Sequence, residues 1–120
     1  MASEGLHEPS DLLDDATIDY HRAMTSLCEE FEAIDWYDQR VKATSDPTLA
    51  AVLAHNRDDE KEHAAMTLEW LRRHDPALDE NMQKFLFTAG PITELGSESD
   101  PASSSGPSGS LGIGSLRGEA

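Results

Sequence analysis

Positive charge, aromatic residues, cysteine and long apolar runs are all scarce in this sequence. Nine Lys and Arg face 24 Asp and Glu, a formal net charge of −15 over 120 residues. Phosphate backbones are bound by Lys and Arg that displace counterions, so the balance argues against nucleic acid as a partner. It argues equally against an anionic membrane surface. No apolar run approaches the ~20 residues that span a bilayer, and the first residues carry no basic, apolar signal segment. The single Cys28 excludes an intramolecular disulfide and fits a reducing cytosol. Aromatic content is 6% and hydrophobic content 38%, lean for one domain that must build its core alone. Carboxylate is what the chain has in excess. Such chains stay soluble and attract cations.

Glycine divides the chain. Only Gly5 precedes residue 88, and the other seven lie from Gly90 onward. The stretch 96–110 reads GSESDPASSSGPSGS, without an aromatic or β-branched residue. It cannot bury enough apolar surface to offset its ordering, so 95–110 is expected to be a flexible linker. An apolar island, LGIGSLR (Leu111–Arg117), follows it. Two readings stand: a disordered end, or a docking peptide with Leu111, Ile113 and Leu116 as anchors. Residues 1–10 are expected to be disordered and 11–94 to form a helical domain.

Within that domain the start signals are Pro9-Ser10-Asp11, with Ser10 as N-cap. Asp46-Pro47 restarts a second helix, with Asp46 as cap and Pro47 at the first helical position, running to about His74. A third, shorter helix is expected over Pro76–Phe87. A turn near Thr44-Ser45 makes the first two an antiparallel hairpin.

On the first helix, Leu13, Ala16, Tyr20, Ala23, Leu27, Glu30, Ile34, Tyr37 and Val41 recur with alternating gaps of three and four. That is the seam of packed helices. Glu30 is its only charged member. On the second helix the corresponding stripe is Leu49, Leu53, Asn56, Glu60, His63, Thr67, Trp70 and His74. A carboxylate in a core stripe is costly unless it is paired or binds a metal. Glu60 and His63, three apart, can both reach one ion. Counting back from the turn puts Glu30 at about the same height as Glu60 and His63, by the helical rise. One inward Glu facing Glu-x-x-His is half of the di-iron carboxylate site of ferritin-like four-helix bundles. Two helices cannot close a bundle. The expected fold is therefore all-α: a two-helix hairpin plus a short C-terminal helix, completed to four helices by a homodimer. Iron, manganese and zinc all suit such ligands.

The segments EEFEAIDWYDQRV (Glu29–Val41), LAHNRDDEKEHAAMTLEWLRR (Leu53–Arg73) and LFTAGPIT (Leu86–Thr93) resemble the encapsulated ferritins over nearly all of residues 8–94. LGIGSLR resembles the peptide by which cargo docks inside encapsulin shells. The resemblance implies a ferroxidase that oxidises Fe(II) with oxygen at a di-iron centre between two chains. It implies a ring-shaped decamer of dimers, inside an encapsulin nanocompartment of the bacterial cytoplasm, where iron is mineralised and stored. By position the iron ligands would be Glu30, Glu60 and His63 of each chain. Glu29 and Glu32 match acidic positions on the metal's approach, and Trp36 and Tyr37 match aromatic positions close to the centre. The shell protein would bind Leu111–Arg117. The linker is long and three residues follow the docking peptide.

Other readings stay in view. By the residues alone, Glu29 and Glu32 form a solvated acidic face. His55, Asp59 and Glu62 share a stripe that could hold a surface metal, with a solvated face preferred. Trp36, Trp70, Met24 and Met66 read as packing, and Cys28 as a small buried hydrophobe. A non-catalytic helical cargo or adaptor dimer, whose Glu/His layer only fixes register, is one rival function. A di-iron peroxidase is the other.

Overall fold

The computed structural model describes residues 5–96, and every described element is helical. A single 3-10 turn, Ser10–Leu12, precedes α1 (Asp15–Ala43) and α2 (Pro47–Arg73). These are followed by α3 (Pro76–Phe85) and the single-turn α4 (Ile92–Leu95). Among the described residues no helix is long and apolar enough to cross a membrane.

The helix boundaries follow local chemistry. Asp14, not Ser10, caps α1: its carboxylate accepts from the Thr17 amide at 2.8 Å. Ser10 opens only the preceding turn, because Leu13 leaves it in extended backbone. That hydrogen bond holds the Asp14 carboxyl below the usual aspartate range. Asp46 caps α2 by accepting from the Thr48 amide at 3.0 Å, with Pro47 at the helix start. Helix α3 ends two residues before the expected Phe87, which has a positive φ of 59° and is 95% exposed. A left-handed residue just past the last turn is a common way for a helix to stop. The expected disordered stretch 1–10 is described only from Gly5. From there Gly5–Glu8 line an open hollow with Leu13, Thr17, His21, Met24 and Cys28 of the following segment.

Residues up to Asp75 form one unit, centred on the α1–α2 hairpin. Its core is small. Leu27, Ala64 and Leu71 are buried, Leu71 to 1% exposure. Ala64, Leu68 and Leu71 are spaced for one helical face, so the face of α2 turned to α1 lies one position beyond the expected stripe. His63, Trp70 and His74, expected to point inward, are instead exposed in the single chain.

Three side-chain ties fix how the helices slide. Asp38 meets Arg57 at 2.8 Å, Glu30 meets Thr67 at 3.3 Å, and Tyr20 meets Asp75 at 2.6 Å. A hairpin symmetric about Ser45 would put Glu30 opposite Glu60. The observed register is shifted by roughly 8–10 Å, up to two helical turns. Thr44 and Asp46 both have extended backbone, and a three-residue extended connection advances about 10 Å. It carries the chain past the end of α1 before α2 turns back. The expected equal height of Glu30 with Glu60 and His63 therefore does not hold within one chain.

The second unit, from Pro76, holds α3 and α4. Gly96 lies against the Phe85 ring so closely that an added Cβ would sit 3.3 Å from it. Residues 97–120, including the linker beyond Gly96 and the expected docking peptide Leu111–Arg117, lie outside the described residues.

Candidate metal centre

Helix α1 carries Glu30 on the turn after buried Leu27. Its position leans to one side of the hairpin, and Thr67 of α2 reaches it there. The Thr67 hydroxyl donates to Glu30 Oε2 at 3.3 Å. Glu30 Oε1 is buried without any hydrogen-bond partner, the only such side-chain atom among the described residues. A buried carboxylate oxygen left unsatisfied is costly, and a metal ion is one of the few partners that would complete it.

On the same side of α2, Glu60 and His63 are brought together as their spacing predicts. His63 Nδ1 lies 3.5 Å from Glu60 Oε1, with the side chains 48% and 25% exposed. The imidazole therefore faces outward from the hairpin, available to a second surface. A groove on this face is lined by Ala23 and Ser26 of α1 and by Met66, Thr67 and Trp70 of α2. Half-buried Tyr37 lies two turns along α1 from Glu30. Carboxylate oxygens and an imidazole nitrogen form a donor set that fits iron. Among the described residues of one chain, no three acidic, His or Cys side chains converge to hold an ion. Glu30 on α1 and the Glu60–His63 pair on α2 are separate half-sets.

The remaining singled-out residues sort by position. Glu29 is exposed and Glu32 half-buried on α1. Trp36 is 49% exposed, while Tyr37 carries the Arg40 guanidinium 5.5 Å from its ring centre. His55 and Asp59 pair at 3.3 Å on the exposed side of α2, and Glu62 is exposed without adding a third ligand to them. Cys28 is half-buried and unpaired. Trp70 stacks on His74 with ring centres 3.8 Å apart. Asp38 and Asp58 share Arg57, whose hydrogen bonds hold both carboxyls below the usual range. Thr67 is the residue at the site whose role the sequence did not disclose. It stood in the stripe as one more small side chain, and only the shifted register pairs it with Glu30.

Comparison with known proteins places the chain among described sequences and folds. The EncFtn-like family model matches residues 5–89. An encapsulated ferritin-like protein of Rhodospirillum rubrum is 54% identical, over 100% of this chain and 93% of its own length. A ferritin-like protein of Thermotoga maritima is 50% identical, covering 89% of this chain and 93% of its own length. The encapsulin nanocompartment cargo protein EncC of Myxococcus xanthus is 34% identical over 73% of this chain and 76% of its own. The crystal structure of a Nitrosomonas europaea protein, 58% identical, superposes with a TM-score of 0.72 over 74% of this chain and 98% of that one.

Proposed function

The chain belongs to the EncFtn-like family, and from that premise we propose that it is a ferroxidase. It oxidises Fe(II) to Fe(III) with dioxygen, as cargo of an encapsulin nanocompartment in a bacterial cytoplasm, where the iron is mineralised and stored. The observation that carries this reading is Glu30 Oε1, buried and unpartnered on the same face as the outward-turned Glu60–His63 pair.

Fe(II) is the substrate. The ligands are Glu30, Glu60 and His63, contributed by two chains to one di-iron centre. Carboxylate oxygens favour the harder Fe(III), so the ligand set promotes loss of an electron, and dioxygen accepts it. The redox chemistry is the metal's own. The chain's part is to hold carboxylates in a partly dry seam and to leave an imidazole facing outward. Glu29 and Glu32 sit next to Glu30 in sequence and draw cations towards it.

The need for a second chain is supported by what the hairpin leaves uncovered. Trp36, Leu49, Val52, Met66 and Trp70 are all exposed large apolar side chains. A two-helix layer has two faces, and Met24 and Phe31 are exposed on the side opposite Glu30. One face closes the metal-sharing homodimer, and the other gives the further contact that a ring-shaped decamer requires. Leu111–Arg117 docks the assembly to the shell protein. The names of the Rhodospirillum and Myxococcus relatives, encapsulated and cargo proteins, support that assignment.

The test is the rate at which Fe(III) absorbance appears after Fe(II) is mixed aerobically with purified protein. Glu30→Ala, Glu60→Ala and His63→Ala are each expected to abolish fast oxidation while keeping helical circular dichroism. Wild-type rates in all three would overturn the reading.

A further inference from the structure

The geometry points to Thr67 as a positioning residue that fixes Glu30 for metal binding, an inference that rests on the metal-site reading above. Threonine in the middle of a helix ordinarily turns its hydroxyl back to a carbonyl of the preceding turn. Here the hydroxyl of Thr67 reaches across the hairpin and donates to Glu30 Oε2. The two residues are 37 positions apart, so this contact exists only in the folded register.

Its consequence lies in the carboxylate's other oxygen. A Glu side chain has several rotamers, and holding one oxygen removes most of them. With Oε2 held, Oε1 is left buried and without a partner. Oε2 keeps a second lone pair, since a carboxylate oxygen accepts at two sites, so the hydroxyl does not block it as a ligand. Thr67 also stands one turn beyond His63 on α2, so the residue that holds Glu30 belongs to the helix that carries the other ligands. Metal-ligating carboxylates are commonly oriented by such partners. The separation of 3.3 Å is long for a hydroxyl donor.

The role needs the donor and not the bulk. Thr67→Val keeps shape and volume and removes the hydroxyl. Thr67→Ser keeps the hydroxyl and removes the methyl group. The probe is Co(II) alone, which reports coordination by its visible absorption, titrated into the assembled metal-free protein without oxygen turnover. Thr67→Val is expected to weaken Co(II) binding roughly 10-fold or more, as loss of an orienting partner does. Thr67→Ser is expected to bind close to wild type. Sedimentation and circular dichroism on the same samples check that assembly and helicity are unchanged. Wild-type affinity in Thr67→Val, or equal losses in both variants, overturns the inference. Glu30→Ala is titrated beside them. If it loses Co(II) while Thr67→Val does not, the positioning role alone is wrong. If Glu30→Ala also binds as wild type, the metal-site reading falls and this inference with it.

Discussion

Replacing Glu30 by Met is expected to raise the stability of the metal-free protein while removing its response to metal. Glu30 Oε1 is buried and unpartnered, whereas Oε2 is held by Thr67. An unsatisfied buried polar group costs about 1–3 kcal/mol. Half-burial of the residue and the partner on its other oxygen place Glu30 at the lower end, about 1–2 kcal/mol. Met has nearly the helix propensity and length of Glu, and suits an apolar seam between Leu27 and Ile34. Thr67 can turn its hydroxyl back to its own helix. For a folded region of this size, 1 kcal/mol shifts Tm by about 4–8 °C, so metal-free Glu30→Met should melt about 4–16 °C above wild type. With Co(II) at about 100 times its Kd, the wild type is stabilised by about 2.7 kcal/mol and the order reverses. Thermal melts with chelator and with Co(II), at one chain concentration, read both effects. Most substitutions destabilise, so a rise in the metal-free state is diagnostic. A metal-free Glu30→Met that melts below wild type, or one that keeps the Co(II) shift, would refute the reasoning.

Three further outcomes follow from the structure. Leu71→Ala removes the most deeply buried side chain among the described residues and should cost about 2–5 kcal/mol, read by urea unfolding. Tyr20 donates to Asp75 at 2.6 Å, and this bond, with partial desolvation, holds the phenol above its usual range. Its contribution is therefore complete below the unfolded phenol's pKa near 10 and lost as pH rises through the higher folded value. Tyr20→Phe should cost about 1 kcal/mol at neutral pH and make that alkaline loss disappear in stability measured against pH. Deleting Leu111–Arg117 should prevent co-purification with the encapsulin shell and leave Fe(II) oxidation in free protein unchanged.

The fold was legible where single residues decide backbone geometry. Asp46-Pro47 announced α2, and the absence of glycine and proline from α1 announced its length. The charged interruption of the seam announced Glu30, and the spacing of Glu60 and His63 announced their contact. What the sequence concealed was rotation and slide. Trp70 and His63 look like members of an inward stripe because aromatic and imidazole groups fit one. The smaller Ala64 takes the place at the helix contact, with Leu68 and Leu71 continuing its face. That rotation leaves His63 outward, as a site completed by another chain requires. The register was concealed for a different reason. A count from the turn assumes that the connection reverses at once, and the extended Thr44–Asp46 link does not. The same slide hid Thr67, whose hydroxyl has a partner only in the shifted alignment.

The central claim is that oxidation needs two chains, because one hairpin brings no three ligands together among its described residues. Oxygen uptake on adding Fe(II), measured separately on monomer and dimer-or-larger fractions of the purified protein, tests it most directly. The account predicts rapid uptake by the assembled fractions, with no added peroxide, and none above the buffer rate by the monomer. A monomer that consumes oxygen as fast per chain as the assembly would contradict it.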